Sequence, residues 1–174
     1  MEKRSQAKVA MNYGALYGLS SSELYLIFYF AGAEVDSNAP KYLGYLLLIL
    51  FLYMGIKSYR DQDLGGYIGY GKSLGTGILI GAFGGIIAGF FSVLMFTVID
   101  PGLAEKIIEK AQEQMIEKGG MTDEQIEKIL DWTRKAFSPV FLFMFSILGN
   151  AFLGLVFSLI ISIFTRKEQT PFQG

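Results

Sequence analysis

Glu23 is the residue of this sequence best placed to do chemistry, because it is a carboxylate inside a long apolar run. The 174 residues include no histidine and no cysteine, which excludes imidazole bases, thiol nucleophiles and thiolate metal sites. A carboxyl group at the centre of a bilayer costs roughly 3 kcal/mol to insert and by default marks a functional site. Asn12 lies about three helical turns earlier on the same side of a helix. With Asn150 of the last apolar run, these residues form a candidate intramembrane polar site.

Two interpretations of this polar site stand side by side. In the first, Glu23 is a proton or cation site beside a polar path along the last apolar run. In the second, a neutral carboxyl joins two helices by hydrogen bonding to Asn150 or Ser146, or the first helix begins late and leaves Glu23 near the membrane surface. Interhelical hydrogen bonds of this kind average about 0.6 kcal/mol. A polar cavity would favour the first interpretation, and a packed interior the second.

Residues 66–73 literally match the phosphate-loop pattern GxxxxGK[ST]. That pattern binds nucleotide phosphates between a buried strand and a helix of a parallel sheet. Here a polar stretch precedes the motif and an apolar run follows it, so the sequence favours a glycine-rich turn at headgroup level. The polar residues 57–72 are accordingly predicted to form a loop. We predict no catalytic residue, no cofactor, no cofactor-binding residue and no metal ligand, and therefore no enzyme.

The elements that position these residues are long apolar runs. Hydrophobic residues make up 52% of the chain, and they occur in blocks rather than dispersed. The blocks predict an all-α, polytopic membrane protein of one domain (1–174) with four transmembrane helices and an extramembrane helical hairpin between the third and fourth. The predicted spans are about 9–33, 40–56, 73–99 and 138–164, and the amphipathic hairpin is about 101–136. The bilayer is thus the first predicted partner.

Small residues recur four apart within three of the runs, which is typical of GxxxG faces that allow close helix packing. We predict that the third span packs antiparallel on the fourth, and that the first span also uses a small-residue face. The predicted helix-packing residues are Gly14, Gly18, Gly77, Gly81, Gly85, Gly89, Asn150 and Gly154. Surplus glycine faces also suggest that the chain forms a homo-oligomer.

Turn and capping residues define the hairpin. Asp100-Pro101 predicts the start of its first helix, Gly119-Gly120 the end, and Thr122 to Gln125 a capping box for the second helix. The first helix carries an acidic stripe of glutamates spaced four apart: Glu105, Glu109, Glu113 and Glu117. The stripe is either a docking face for a basic protein partner or for divalent cations, or a solvated face relieved by neighbouring lysines.

Basic residues favour both termini in the cytoplasm, because lysine and arginine concentrate in the short flanks at the termini and in residues 57–72. A formal net charge of −1 argues against a nucleic-acid partner, which requires a basic surface. The sequence therefore predicts a multi-pass membrane protein with both termini in the cytoplasm.

Several motifs resemble a bacterial family known as domain of unknown function 4199 (DUF4199). They are IGYGKSLGTGILIG, FTVIDPGLAEKIIEK, EQMIEKGGMTDEQIEKIL and KAFSPVFLFMFSILGNAFLGLVFSLIISIF, in that order. The resemblance extends from about Asn12 to Phe164 and implies a four-span protein of bacterial inner membranes. It implies no activity and no functional residues. From the residues themselves we expect a scaffold or complex subunit acting through helix packing and the hairpin, with a small transporter or channel-like protein, Glu23 near its path, as the alternative.

Overall fold

The computed structural model describes residues 3–32 and 38–168, and these fold into six α-helices. Their bounds are α1 Gln6–Phe30, α2 Ala39–Ser58, α3 Tyr70–Leu94, α4 Leu103–Lys118, α5 Asp123–Ala136 and α6 Pro139–Thr165. A π-helical turn continues α2 over Tyr59–Asp63, and another continues α3 over Met95–Ile99. The described ranges hold no strand, only an antiparallel bridge between Ile68 and Lys167. The prediction of an all-α protein is confirmed.

Three helices, counted over the described residues, are long and apolar enough to cross a membrane. They are α2 and α3, each with its π-helical turn, and α6. These three correspond to the predicted spans 40–56, 73–99 and 138–164. The remaining predicted span, 9–33, corresponds to α1. This helix contains Asn12, several serines and Glu23, so a smaller share of its residues is apolar. Ala33 lies outside the described residues. The number of four spans therefore stays a prediction.

The prediction of a loop over 57–72 is wrong at both of its ends. Helix α2 continues to Ser58 and through its π-helical turn to Asp63, and α3 already begins at Tyr70. Polar residues can extend a helix beyond its apolar part, so a change in composition does not mark the end of a helix. The reversal is made by two glycines with positive φ, Gly65 (70°) and Gly66 (91°), a backbone region that other residues rarely adopt.

The first of two compact units comprises residues 1–88 and 147–174. Helices α1 and α2 are antiparallel in it, because Arg4 lies beside Asp63 while Tyr13, further along α1, lies against Gly55. Apolar side chains of α1, α2, α3 and α6 meet in its core. Its buried members are Val9, Ala10, Tyr17, Leu48, Leu52, Ile56, Tyr59, Ile68, Ile80 and Ile161.

The second compact unit comprises residues 89–146 and contains the hairpin of α4 and α5. Ile108, Ile126 and Leu130 form its buried core. The predicted capping box is confirmed, since the Thr122 amide donates to the Gln125 side chain and the Gln125 amide donates to the Thr122 hydroxyl.

The predicted start of the first hairpin helix is two residues early. Helix α4 begins at Leu103, because the Asp100 carboxylate accepts a hydrogen bond from the Gly102 amide and holds a turn before it. The division into two units does not test the prediction of one domain, which stays a prediction.

Candidate functional site

The glycines of α1 lie directly against the backbone of α3. A methyl group at Gly14 would come 2.7 Å from the Ile80 carbonyl oxygen, and one at Gly18 would come 2.7 Å from that of Gly84. Because both positions advance together along the chain, α1 and this part of α3 run in the same direction. At these positions only glycine allows the two backbones to approach so closely.

Two glycines of α3 in the same unit face α6. A Cβ at Gly77 would collide with the Ser158 side chain, and one at Gly81 with the Asn150 carbonyl oxygen. From the opposite side, a Cβ at Gly154 would lie 2.7 Å from the Gly77 carbonyl oxygen. Higher numbers on α3 meet lower numbers on α6, so these segments are antiparallel.

The remaining predicted glycines of α3 are also enclosed. Gly85 is buried. In the second unit, a Cβ at Gly89 would lie 2.9 Å from the Phe143 ring and 3.3 Å from the Ser146 Cβ. The predicted packing residues thus lie in contact or buried; that these contacts drive association of the helices in lipid stays a prediction.

Sequence reasoning missed Gly84, which receives the ring of Tyr17. The signal was the adjacent pair Gly84-Gly85, because neighbouring helical residues differ by about 100° in direction and so point toward different neighbours.

A hydrogen bond between α1 and α6 lies within the first unit. The Tyr17 hydroxyl donates to the Asn150 Oδ1 at 2.7 Å, and Tyr17 is only 6% exposed. Asn150 therefore joins α6 to α1 through a tyrosine that the sequence analysis did not single out, and not through Glu23, the partner considered there.

Glu23 and Asn12 lie on the other side of α1. Both are exposed, whereas Tyr17, which lies between them in the chain, points inward to Asn150. Six residues along an α-helix rotate the side chain by about 240°, and five by about 140°, which explains why both differ in direction from Tyr17. The structure places Asn150 on the buried side of α1 and the other two members of the candidate polar site on its exposed side.

At one end of the first unit, polar contacts hold the segment before α1 and the end of α6 against the end of α2 and its π-helical turn. The Arg4 guanidinium donates to both carboxylate oxygens of Asp63, at 3.2 and 2.8 Å, and to Ser58 at 3.1 Å. Asp63 is 4% exposed, and its hydrogen bond is the main cause that raises the pKa of Arg4. Nearby, Arg60 donates to the Thr165 carbonyl oxygen at the end of α6.

The serine of the phosphate-loop pattern is already hydrogen-bonded to another helix of the fold. Ser73 is fully buried, and its hydroxyl lies 2.9 Å from that of Thr165. A buried serine hydroxyl that is already bonded to α6 is not available to a nucleotide-bound magnesium ion, and Lys72 belongs to a helix that begins at Tyr70 without a preceding strand. The geometry therefore does not favour a phosphate loop: Gly66 lies in the turn before α3, whereas Lys72 and Ser73 lie in the first turn of α3 itself.

A shallow cavity of about 360 Å³ opens beside this turn. We call it the lysine recess. Its lining residues are Leu64, Tyr67, Ile68, Gly69, Lys72, Lys167 and Glu168. The bridge between Ile68 and Lys167 joins two of these lining residues by backbone hydrogen bonds of 2.9 and 3.0 Å. The recess therefore joins side chains from distant parts of the sequence.

The hairpin presents charge to solvent. All four glutamates of the acidic stripe are exposed, and so are Ile116, Ile129 and Trp132. The Lys135 ammonium lies 5.2 Å from the centre of the Trp132 ring. Within the described ranges, no group of three or more carboxylates could hold a metal ion.

Comparison with known protein families matches most of the chain to one family. A family model described as "Protein of unknown function (DUF4199)" matches residues 12–167, which include most of α1 and all of the other helices. No curated protein and no solved structure matches the chain. The resemblance inferred from the four sequence motifs is thereby confirmed: the chain belongs to the DUF4199 family.

Proposed function

We propose that the chain is a non-enzymatic inner-membrane protein with four spans, acting as a scaffold or a subunit of a membrane complex. The register of α1 supports its role as the fourth span. Gln6 donates to the Lys72 carbonyl oxygen, and twelve residues later along both helices Gly18 contacts Gly84. Helix α1 therefore follows α3 for about 18 Å and shares its depth in the membrane.

The exposure of Glu23 is the observation that carries the proposal. Seven apolar or aromatic residues, 24–30, follow it, so its carboxyl group lies about 10 Å inside the end of α1. Facing lipid there costs roughly 3 kcal/mol, and a partner that offers a hydrogen bond removes most of that cost. Asn12, Leu16 and Leu19 are exposed on the same side at spacings of four and three, which is typical of a helix–helix contact.

Close packing between α3 and α6 supports a scaffold over a transporter. Ser158 and Ser162 are fully buried, and a methyl group at Gly77 or Gly81 would already collide with α6. A polar path needs room for water or an ion beside these serines. Because the helices are in direct contact at these glycines, such room is lacking there.

The hairpin is the second surface that we propose for a partner. Its exposed Trp132 is an aromatic anchor of the kind enriched at the centre of protein interfaces, and its exposed acidic stripe supplies charge of the kind found at their polar rim. A basic protein surface fits this composition.

Photo-crosslinking in native membranes tests the proposal. A photoreactive residue at Leu19, 53% exposed on α1, should form a specific adduct, and one at Leu46, 61% exposed on α2, is the matched control. An adduct of twice the chain mass identifies a second copy, and another mass identifies a different subunit. Equal crosslinking of lipid alone at both positions would contradict the scaffold.

The variant Glu23→Gln distinguishes the scaffold hypothesis from the transporter hypothesis. The amide keeps the hydrogen-bonding ability of the side chain but has no charge, so the adduct at Leu19 should persist. Ion flux into liposomes that is present in the wild type and lost in Glu23→Gln would instead establish a transporter.

A further inference from the structure

We propose that the lysine recess binds the phosphate of an anionic phospholipid. This inference rests on the proposed insertion in a membrane, but not on the scaffold role. Two cationic side chains line the recess, Lys72 from α3 and Lys167 from the segment after α6. They are brought together by the backbone bridge at Ile68 rather than by proximity in sequence.

Both lysines are held on aromatic rings and remain free to bind an anion. The Lys72 ammonium lies 5.9 Å from the centre of the buried Tyr59 ring, and the Lys167 ammonium 5.5 Å from that of Tyr67. Such cation–π contacts leave the ammonium hydrogens available. Over residues 3–32 and 38–168, neither lysine forms a salt bridge.

The first turn of α3 adds to the attraction for an anion. Gly69 lines the recess and directly precedes this helix of 25 residues. The N-terminal amides of a helix lack partners within the helix and carry partial positive charge. A phosphate in the recess would meet two ammonium groups and this helix end.

The position of the recess identifies the source of the phosphate as a lipid. Gly69 is one residue before α3 and Lys167 is two residues after α6, so both lie within about 7 Å of the ends of two candidate spans. The exposed Tyr67 is typical of the headgroup layer. Leu64 and Ile68 add an apolar wall where acyl chains begin.

Glu168 is the one acidic residue of the recess, and it opposes binding of an anion. It provides an independent test, because its removal should strengthen binding while removal of a lysine weakens it. A purely structural role of the recess would not produce opposite effects from these two changes.

The experiment measures lipid retention by native mass spectrometry of the full chain released from mixed detergent micelles. Phosphatidylglycerol and phosphatidylcholine of equal chain length serve as probes. We expect the wild type to retain phosphatidylglycerol selectively. Because one lysine near an anionic surface contributes about fivefold, Lys72→Gln with Lys167→Gln should lower that selectivity roughly 25-fold.

Two controls make the result decisive. Lys57→Gln removes a lysine that lies over Tyr53, outside the recess, and should change selectivity less than twofold; Glu168→Gln should raise it. Equal retention of both lipids by the wild type would overturn the proposal, and so would an equal loss in Lys57→Gln. Displacement of the lipid by millimolar inorganic phosphate would also overturn it, since the site would then bind the free anion. None of these results depends on the crosslinking at Leu19.

Discussion

Tyr17 shows how a single hydroxyl can join two helices inside an apolar protein. It is nearly buried between α1, α3 and α6, where its ring fills the space left by Gly84 and its hydroxyl reaches Asn150. Its phenol combines a large apolar surface with one polar atom, which suits a site that is apolar except at one point.

Removal of the Tyr17 hydroxyl should weaken the fold slightly. Tyr17→Phe keeps the ring but deletes the donor to Asn150, so we expect the free energy of unfolding to fall by about 0.5 to 1.5 kcal/mol. Unfolding by a denaturing detergent, followed by circular dichroism, measures the change. Tyr42→Phe is the matched control, because Tyr42 is 61% exposed, and it should have no measurable effect. Equal effects in both variants would contradict the role assigned to this hydrogen bond.

Individual residues differ in how well the sequence predicted them. The spacing of Gly77 and Gly81 marks a side of α3 without side chains, which is visible in the sequence, and in the structure this side faces α6. The direction of Glu23 was not predicted, although Glu23 is five residues after Gly18 and therefore points about 140° away from the predicted packing face of α1. Tyr17 was missed because a tyrosine in an apolar run is most often only an aromatic anchor.

At the scale of elements, α3 and α6 contact each other through backbone atoms. The nearest atoms to a new methyl group at Gly81 are the carbonyl of Asn150 and the Cα of Gly154. A backbone atom cannot move aside as the end of a flexible side chain does, so the two helices would have to separate. Such overpacking typically lowers the free energy of unfolding by about 1 to 3 kcal/mol.

Gly81→Ala should therefore destabilise the protein, and Gly149→Ala should not. A methyl group at Gly149, on α6 next to Asn150, would meet nothing within 4 Å, so alanine there should be neutral or stabilise the helix by up to about 1 kcal/mol. Thermal unfolding in micelles, followed by size-exclusion chromatography, compares the variants. A Gly81→Ala protein as stable as the wild type would show that α3 and α6 need no close approach.

Helix boundaries followed the sequence at most of the prolines and caps, but not at Pro101, where α4 begins two residues later than predicted. Proline lies within the first residues of α2 and opens α6, and the capping box opens α5. Between the apolar runs of α2 and α3 the sequence analysis relied on polarity alone, and there it mistook helical residues for loop. The lysine recess could not be predicted either, because it depends on a bridge between Ile68 and Lys167, far apart in the chain.

For the whole molecule, the polar contacts of the first unit bring residues near both termini to the same end of that unit. Arg4 is bonded to Asp63 after α2, and Lys167 is paired with Ile68 just before α3. Both chain ends therefore lie at the end of the unit where α2 finishes and α3 begins. The proposed four spans agree with these contacts, because three spans would place the two termini on opposite sides of the membrane.

The absence of cysteine from the sequence allows a direct test of this topology. Single cysteines at exposed Lys3 and Arg166 should both resist a membrane-impermeant maleimide added outside intact cells, because both ends are proposed to be cytoplasmic. A cysteine at Met121, 49% exposed between α4 and α5, should react, since α3 crosses the membrane before the hairpin. Permeabilised cells, in which all three positions should react, are the control. Opposite reactivity of positions 3 and 166 would leave three spans and exclude α1 as the fourth.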